Sequence, residues 1–101
     1  IEKVSTIADT LGAPHAAPYS FGLCKRYLDD LICLDDDLFC RGLALLFSEA
    51  KLVVEPAGAA TTALLLSEHR ERFRGKHVGL IVCGANIDIT NFANYVARGS
   101  S

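Results

Sequence analysis

No two cysteines in this 101-residue sequence are spaced as Cys-x-x-Cys, which removes the common zinc-binding patterns. Cys24, Cys33, Cys40 and Cys83 are nine, seven and forty-three positions apart, in apolar or helical surroundings where a free thiol behaves as a small hydrophobe. They read as reduced thiols of a cytoplasmic protein rather than a disulfide framework. Basic charge is also scarce. Ten Lys plus Arg face twelve Asp plus Glu, the net charge is −2 and no basic stripe forms, so nucleic acid is not an expected partner. Apolar runs such as Leu43 to Phe47 and Ala63 to Leu66 fall far short of the roughly 20 residues of a membrane span. The opening Ile1-Glu2-Lys3-Val4 does not read as a secretory signal, and no membrane partner is expected.

The usual catalytic signatures are missing too. There is no Gly-Gly, no Gly-x-Gly-x-x-Gly and no Walker lysine, hence no phosphate cradle of the common types. Ser5, Ser20, Ser48 and Ser67 lack the Gly-x-Ser-x-Gly setting of a nucleophile elbow. His15, His69 and His77 lie far apart and read as structural or solvated. Asp35-Asp36-Asp37 lacks the Gly and closing Glu of a calcium loop, so it is expected to cap a helix and to bind no metal.

What remains is an alternation of small apolar segments and helical patterns. Ser5-Thr6 can cap a turn through Leu11, which Gly12-Ala13-Pro14 ends. Pro18 suits the first position of a helix from Tyr19 to Asp29, with Phe21, Leu23, Cys24, Tyr27 and Leu28 as its apolar positions. Leu31 to Leu34 reads as a short buried strand. Leu38, Phe39, Gly42, Leu43, Leu46, Phe47 and Ala50 recur at intervals of three and four, predicting an amphipathic helix over Asp36 to Lys51. After Leu52-Val53-Val54, Glu55 is placed to cap a helix opening with Pro56 and a run of small residues, Ala57 to Ala63. Such a run packs closely on a sheet or lies beside a flat ligand. The helix is expected to end in the charged stretch Ser67 to Arg74, before Gly75. His77 to Cys83 is uncharged past its first residue and reads as a strand buried on both faces. It breaks at Gly84-Ala85-Asn86, ahead of a last helix over Asn86 to Ala97. The expected fold class is α/β: two short parallel strands, about four helices and a right-handed crossover, in a single segment spanning 1–101. Half the residues are hydrophobic, more than a self-contained domain of this size normally carries, so burial within something larger, or association through exposed apolar faces, is expected.

Strand, small-residue turn and helix is the layout in which α/β proteins place ligands. The two candidate turns are Glu55-Pro56-Ala57-Gly58-Ala59-Ala60 and Cys83-Gly84-Ala85-Asn86. On residue chemistry alone, close packing explains each better than ligand binding does.

Leu52 to Ala60, followed by Gly75-Lys76 and by Val82 to Asp88, resembles the carboxy-terminal third of the pyridoxal-phosphate-dependent threonine/serine dehydratases and serine racemases. Thr6-Ile7-Ala8-Asp9 resembles the piece that opens that third, and the Asp-rich stretch at Asp35 falls where these enzymes have an acidic helix entry. The resemblance implies a fold of the tryptophan-synthase-β type, this chain forming the carboxy-terminal part of the large domain, with the cofactor in a cleft. By the same resemblance Cys83 stands where the pyridine nitrogen meets a Ser, Thr or Cys. Glu55 would lie near the ring edge with Gly58 in the same motif, while Gly84 and Asn86 continue the turn around the ring. A neutral thiol cannot hold the pyridine protonated as an Asp would. That suits loss of a β-hydroxyl to give a 2-oxo acid and ammonia better than it suits transamination.

The resemblance thus implies a lyase of amino-acid metabolism acting on threonine, serine or a related β-hydroxy amino acid, cytoplasmic and homo-oligomeric. Thr10 departs from the glycine usual at its position in the racemase-like members, which leaves the substrate open. The Schiff-base lysine motif, the Ser/Thr-x-x-Asn-His loop and the glycine-rich phosphate loop are not found here, and Lys3, Lys25, Lys51 and Lys76 have other settings. This stretch alone is therefore expected to supply one wall of a site and no turnover. The alternative is a non-catalytic interaction module that keeps the shape.

Overall fold

The computed structural model describes residues 5–13 and 15–101. Most of the predicted extended piece Ile1 to Ser5, and Pro14 of the predicted helix stop, lie outside them. The fold is organised by α2 (Asp36–Ala50). Asp35 caps it, its carboxylate accepting from Leu38 N–H at 2.9 Å, while Asp36 and Asp37 lie in the first turn, at the positive end of the helix dipole. Lys51 closes the helix in a left-handed conformation, φ 57°. Leu43 and Cys40 are fully buried.

Two helices pack on α2 by close backbone approach. α3 (Ala60–Leu66), entered through a 3₁₀ turn at Pro56–Ala59, meets it at Gly42, where a Cβ would stand 3.0 Å from Ala59 O and Ala63 N. This accounts for part of the small-residue run: Ala59 and Ala63 are wholly buried against a helix, not against a sheet. α4 (Ile89–Gly99) is capped by the Asp88 carboxylate, which accepts from Asn91 N–H at 2.7 Å. It runs antiparallel to α2, from the Phe47–Phe92 edge-to-face pair at 5.4 Å to the Arg98–Asp37 ion pair at 2.6 Å. Hydrogen bonding to Asp37 raises the Arg98 pKa further. Leu43, Val54, Ala59 and Phe92 form one core cluster; Ala8, Phe39 and Ala63 form another.

The two predicted strands are absent: among the described residues there is no β-strand. Burial over Leu31 to Asp35 alternates residue by residue, and Ile32 and Leu34 line a hollow with Ala60 and Leu64. That is strand-like facing without a ladder. No backbone hydrogen bond joins this segment to 78–83, and Ile81, expected to be buried on both faces, is 75% exposed. A strand is held by hydrogen bonds to a neighbouring strand, and neither segment has one. A helix satisfies its own backbone, which is why the helices form regardless.

Smaller corrections follow the same physics. The predicted turn through Leu11 is a 3₁₀ turn at Asp9–Leu11 closed by Gly12 N–H on Asp9 O. It has no Ser5 cap, although Thr6 Oγ1 accepts from Ala8 N–H at 3.2 Å. α1 (Pro18–Tyr27) starts at Pro18, but none of its apolar side chains is buried, Tyr19 being 79% exposed. The charged stretch after α3 is a separate 3₁₀ helix, Glu68–Phe73. It is tied back by Arg72 to Asp30 at 2.7 Å, which lowers the Asp30 pKa. The last helix begins at Ile89, three residues later than expected. No helix among the described residues is long and apolar enough to cross a membrane. The outline is a slab of 38 × 37 × 19 Å, and its radius of gyration, 14.4 Å, exceeds the roughly 13 Å of a compact domain of this length.

Leu43→Ala is expected to lower the unfolding free energy by about 2–5 kcal/mol, read as a fall in the urea midpoint at unchanged slope. All four cysteines are free, and of these only Cys40 is buried; burial pushes its thiol pKa up, so it stays protonated where an ordinary thiol ionises. Iodoacetamide at pH 8 should therefore label Cys24, Cys33 and Cys83 in the native state, and Cys40 only after denaturation.

Candidate functional site

The small-residue turns at 55–58 and 83–86 are adjacent in space. Glu55 N–H donates to the Gly84 carbonyl at 3.1 Å, and the Glu55 carbonyl accepts from Gly58 N–H at 2.9 Å. A Cβ on Gly58 would run into the carbonyl oxygens of Cys83 and Gly84. Gly58 is thus the only residue type that lets the 3₁₀ turn rest on the backbone of 83–84. Gly84 has φ +93°, and a Cβ there would meet the Glu55 carboxylate, 3.1 Å from its Cδ. One turn later Thr61 Oγ1 donates to the Ile81 carbonyl at 2.8 Å, continuing the attachment along the same segment.

Glu55 does not cap the helix it precedes. Its backbone has the extended conformation of a cap, but the side chain accepts no bond from the helix amides. Instead the half-buried carboxylate lies against Gly84 and within 3.5 Å of the Thr10 hydroxyl. The competing partner is available because 6–10 is pinned alongside: Thr6 Oγ1 donates to the Asp36 carboxylate, Ile7 N–H reaches Asp36 Oδ2 at 3.4 Å, and Ala8 is buried against Phe39 and Ala63.

Glu55 and Asn86 both line a cleft of about 380 Å³, with Asp9, Pro56, Asp88 and Tyr95 among its other walls. Its lining holds three carboxylates, from Asp9, Glu55 and Asp88, and no Lys, Arg or His. Gly84 borders the cleft through its contact with Glu55, and the Cys83 thiol is exposed. The predicted site residues Glu55, Gly58, Cys83 and Gly84 are therefore brought together, with Asn86 joined to them through Glu55 and the cleft. A larger hollow of about 490 Å³, bordered by Cys33, Asp35, Arg41, Glu68 and His69, contains none of them.

Sequence reasoning did not single out Asp9, Tyr95 or Thr61. Thr61 and Thr62 both place a hydroxyl in the otherwise aliphatic run Ala57 to Leu66, and only the structure shows Thr61 finding a partner while, among the described residues, Thr62 Oγ1 has none. Asp9 appeared only within the Thr6-Ile7-Ala8-Asp9 resemblance and Tyr95 not at all, because only the packing of α4 and of the 6–10 segment brings them to the same cleft.

Comparison with known proteins shows the family. The sequence is 41% identical over 97 residues to the phenylserine dehydratase of Ralstonia pickettii, covering 96% of this chain and 30% of that protein. It is 30% identical over 98 residues to the serine racemase of Schizosaccharomyces pombe, covering 97% and 30%. It is 27% identical over 99 residues to the L-threonine ammonia-lyase of Thermotoga maritima, covering 98% and 24%. The chain thus spans less than a third of the length of these curated relatives. Residues 1–84 match the family described as pyridoxal-phosphate dependent enzyme, a family that supports the α/β class, and the chain belongs to it.

Proposed function

We propose that this chain is the carboxy-terminal part, in one piece over 1–101, of the large domain of a pyridoxal-phosphate-dependent ammonia-lyase. The substrate class is a β-hydroxy α-amino acid such as threonine, serine or a relative bearing a larger side chain. The observation that carries the reading is the exposed Cys83 thiol on the turn that Glu55 and Gly58 hold in place.

The residues present fit part of the cofactor. A thiol at the end of a small-residue backbone turn suits the nitrogen edge of an aromatic ring, and the two glycines let that turn and Glu55 stand against each other. The cleft does not suit the phosphate, since three carboxylates without a cation repel an anion. In this reading the phosphate and the lysine anchor belong to other residues of the longer protein. When bound, pyridoxal phosphate withdraws electrons from the substrate Cα, so that an α-proton and then a β-hydroxyl can leave. Cys83 would meet the ring nitrogen, Glu55 would lie at the ring edge, and Gly84 and Asn86 would continue the backbone turn around it. A thiol there would not hold the ring nitrogen protonated as an Asp would, which would suit loss of a β-hydroxyl better than transamination.

The same proposal accounts for the uncovered surface. Ile81 and Leu31, both more than 70% exposed, belong to the two segments lacking a ladder; in the intact protein they become strands by pairing with the remainder of the large domain. A homo-oligomer forms through faces still uncovered, and free thiols suit the cytoplasm.

The intact protein should release 2-oxo acid and ammonia from L-serine, L-threonine or phenylserine when loaded with pyridoxal phosphate. Cofactor binding without turnover of any of them would refute the lyase reading and favour a non-catalytic module. Cys83→Asp should retain the cofactor but alter its absorption spectrum and cut β-elimination by about tenfold or more, since one charged hydrogen bond is worth roughly 1.5–3 kcal/mol.

A further inference from the structure

We infer that Thr10 is a positioning residue for Glu55, its hydroxyl setting the direction of the carboxylate that borders the cofactor ring; this rests on the ring-binding reading above. Three observations converge on Thr10. Its Oγ1 stands 3.5 Å from Glu55 Oε1 across 45 residues of sequence. The Glu55 side chain accepts no bond from the neighbouring helix amides, the partners its backbone position offers it. Thr10 itself is carried on a segment that has little freedom. Thr6 and Ile7 are bonded to Asp36, Ala8 is 1% exposed, and Leu11 N–H and Gly12 N–H close the turn on Ala8 and Asp9 at 3.0 and 2.9 Å.

The pieces act as a clamp. On one side the Gly84 backbone lies against the carboxylate, with no Cβ between them; on the other the Thr10 hydroxyl is its hydrogen-bond donor. A β-branched side chain has few χ1 choices, so Thr10 holds its hydroxyl in a narrower range than serine would. A carboxylate fixed in this way meets a ligand already oriented, and the ligand need not order it. Without the hydroxyl, Glu55 keeps its backbone anchor to Gly84 but loses the contact that selects its rotamer.

The test is a double-mutant cycle on the intact protein, read by pyridoxal phosphate titration of the apoprotein and by the absorption maximum of the bound cofactor. Thr10→Val is expected to weaken cofactor binding by about 3- to 10-fold, the size of one hydrogen bond, and to shift the absorption maximum while Tm stays unchanged. Thr10→Ser should restore both to within about twofold. In a Glu55→Ala background the Thr10→Val effect should vanish, because the hydroxyl acts only through that carboxylate. Wild-type affinity and spectrum in Thr10→Val, a Thr10→Ser protein no better than Thr10→Val, or additive effects in the double variant would each overturn the inference while leaving the cofactor reading intact. Should Thr10→Val fail to fold, Thr10→Ala removes the same hydroxyl with less bulk and is held to the same outcomes. Failure of the unsubstituted intact protein to bind pyridoxal phosphate would overturn both.

Discussion

The hydrogen bond from Glu55 N–H to the Gly84 carbonyl, 3.1 Å long, joins two turns separated by 29 positions of chain, and the candidate site exists only because they meet. Its neighbours reinforce it. Gly58 can rest on the carbonyls of Cys83 and Gly84 only because it has no Cβ, and the left-handed Gly84 leaves room for the Glu55 carboxylate. A side chain at either glycine would force the turns apart and separate Glu55 from the thiol. The junction is explained by packing, and the glycines need no ligand to account for them. What points beyond packing is the carboxylate, which leaves its capping position for the cleft, and the thiol, which stays in solvent.

The helical layer is complete while the layer beside it is not. α2 is covered by α3 and α4 through contacts that small residues permit, and Cys40 and Leu43 are sealed inside. The segments expected to form a sheet have apolar side chains but, among the described residues, no strand beside them, leaving a thin slab with Leu31 and Ile81 open to solvent. Hydrophobic burial alone does not make a strand; its amides need a partner chain, whereas a helix carries its partners within itself.

The contrast between two thiols shows how environment divides one residue type into two roles. Cys40 sits under α4, where burial raises its pKa and suppresses its reactivity. Cys83 stands at an exposed turn beside a carboxylate-lined cleft. In sequence Cys40 falls inside a predicted helix and Cys83 at the end of a predicted buried strand, and only the packing shows which thiol is sealed.

Helix positions were legible because their signals are local: Asp35 as a cap, Pro18 as a first residue, and the three-to-four spacing from Leu38 to Ala50. The order of the motifs around Glu55 and Cys83 was legible through family resemblance, and the family match over residues 1–84 agrees with it. Pairing was not legible. Leu31 to Leu34 and Val78 to Cys83 have strand composition whether or not a neighbour is present, and the apolar face of α1 looks like a core face although none of its residues is buried. The partner of the Glu55 carboxylate was likewise a tertiary decision. Local chemistry offered the amides of its own helix, but the anchored 6–10 segment placed a hydroxyl within reach. The sequence by itself determined where helices begin and which residues can approach closely, because those depend on neighbours a few positions away. Only the tertiary structure decided which thiol faces water and which side chains share a cleft, because those depend on chain segments tens of residues apart meeting at one point.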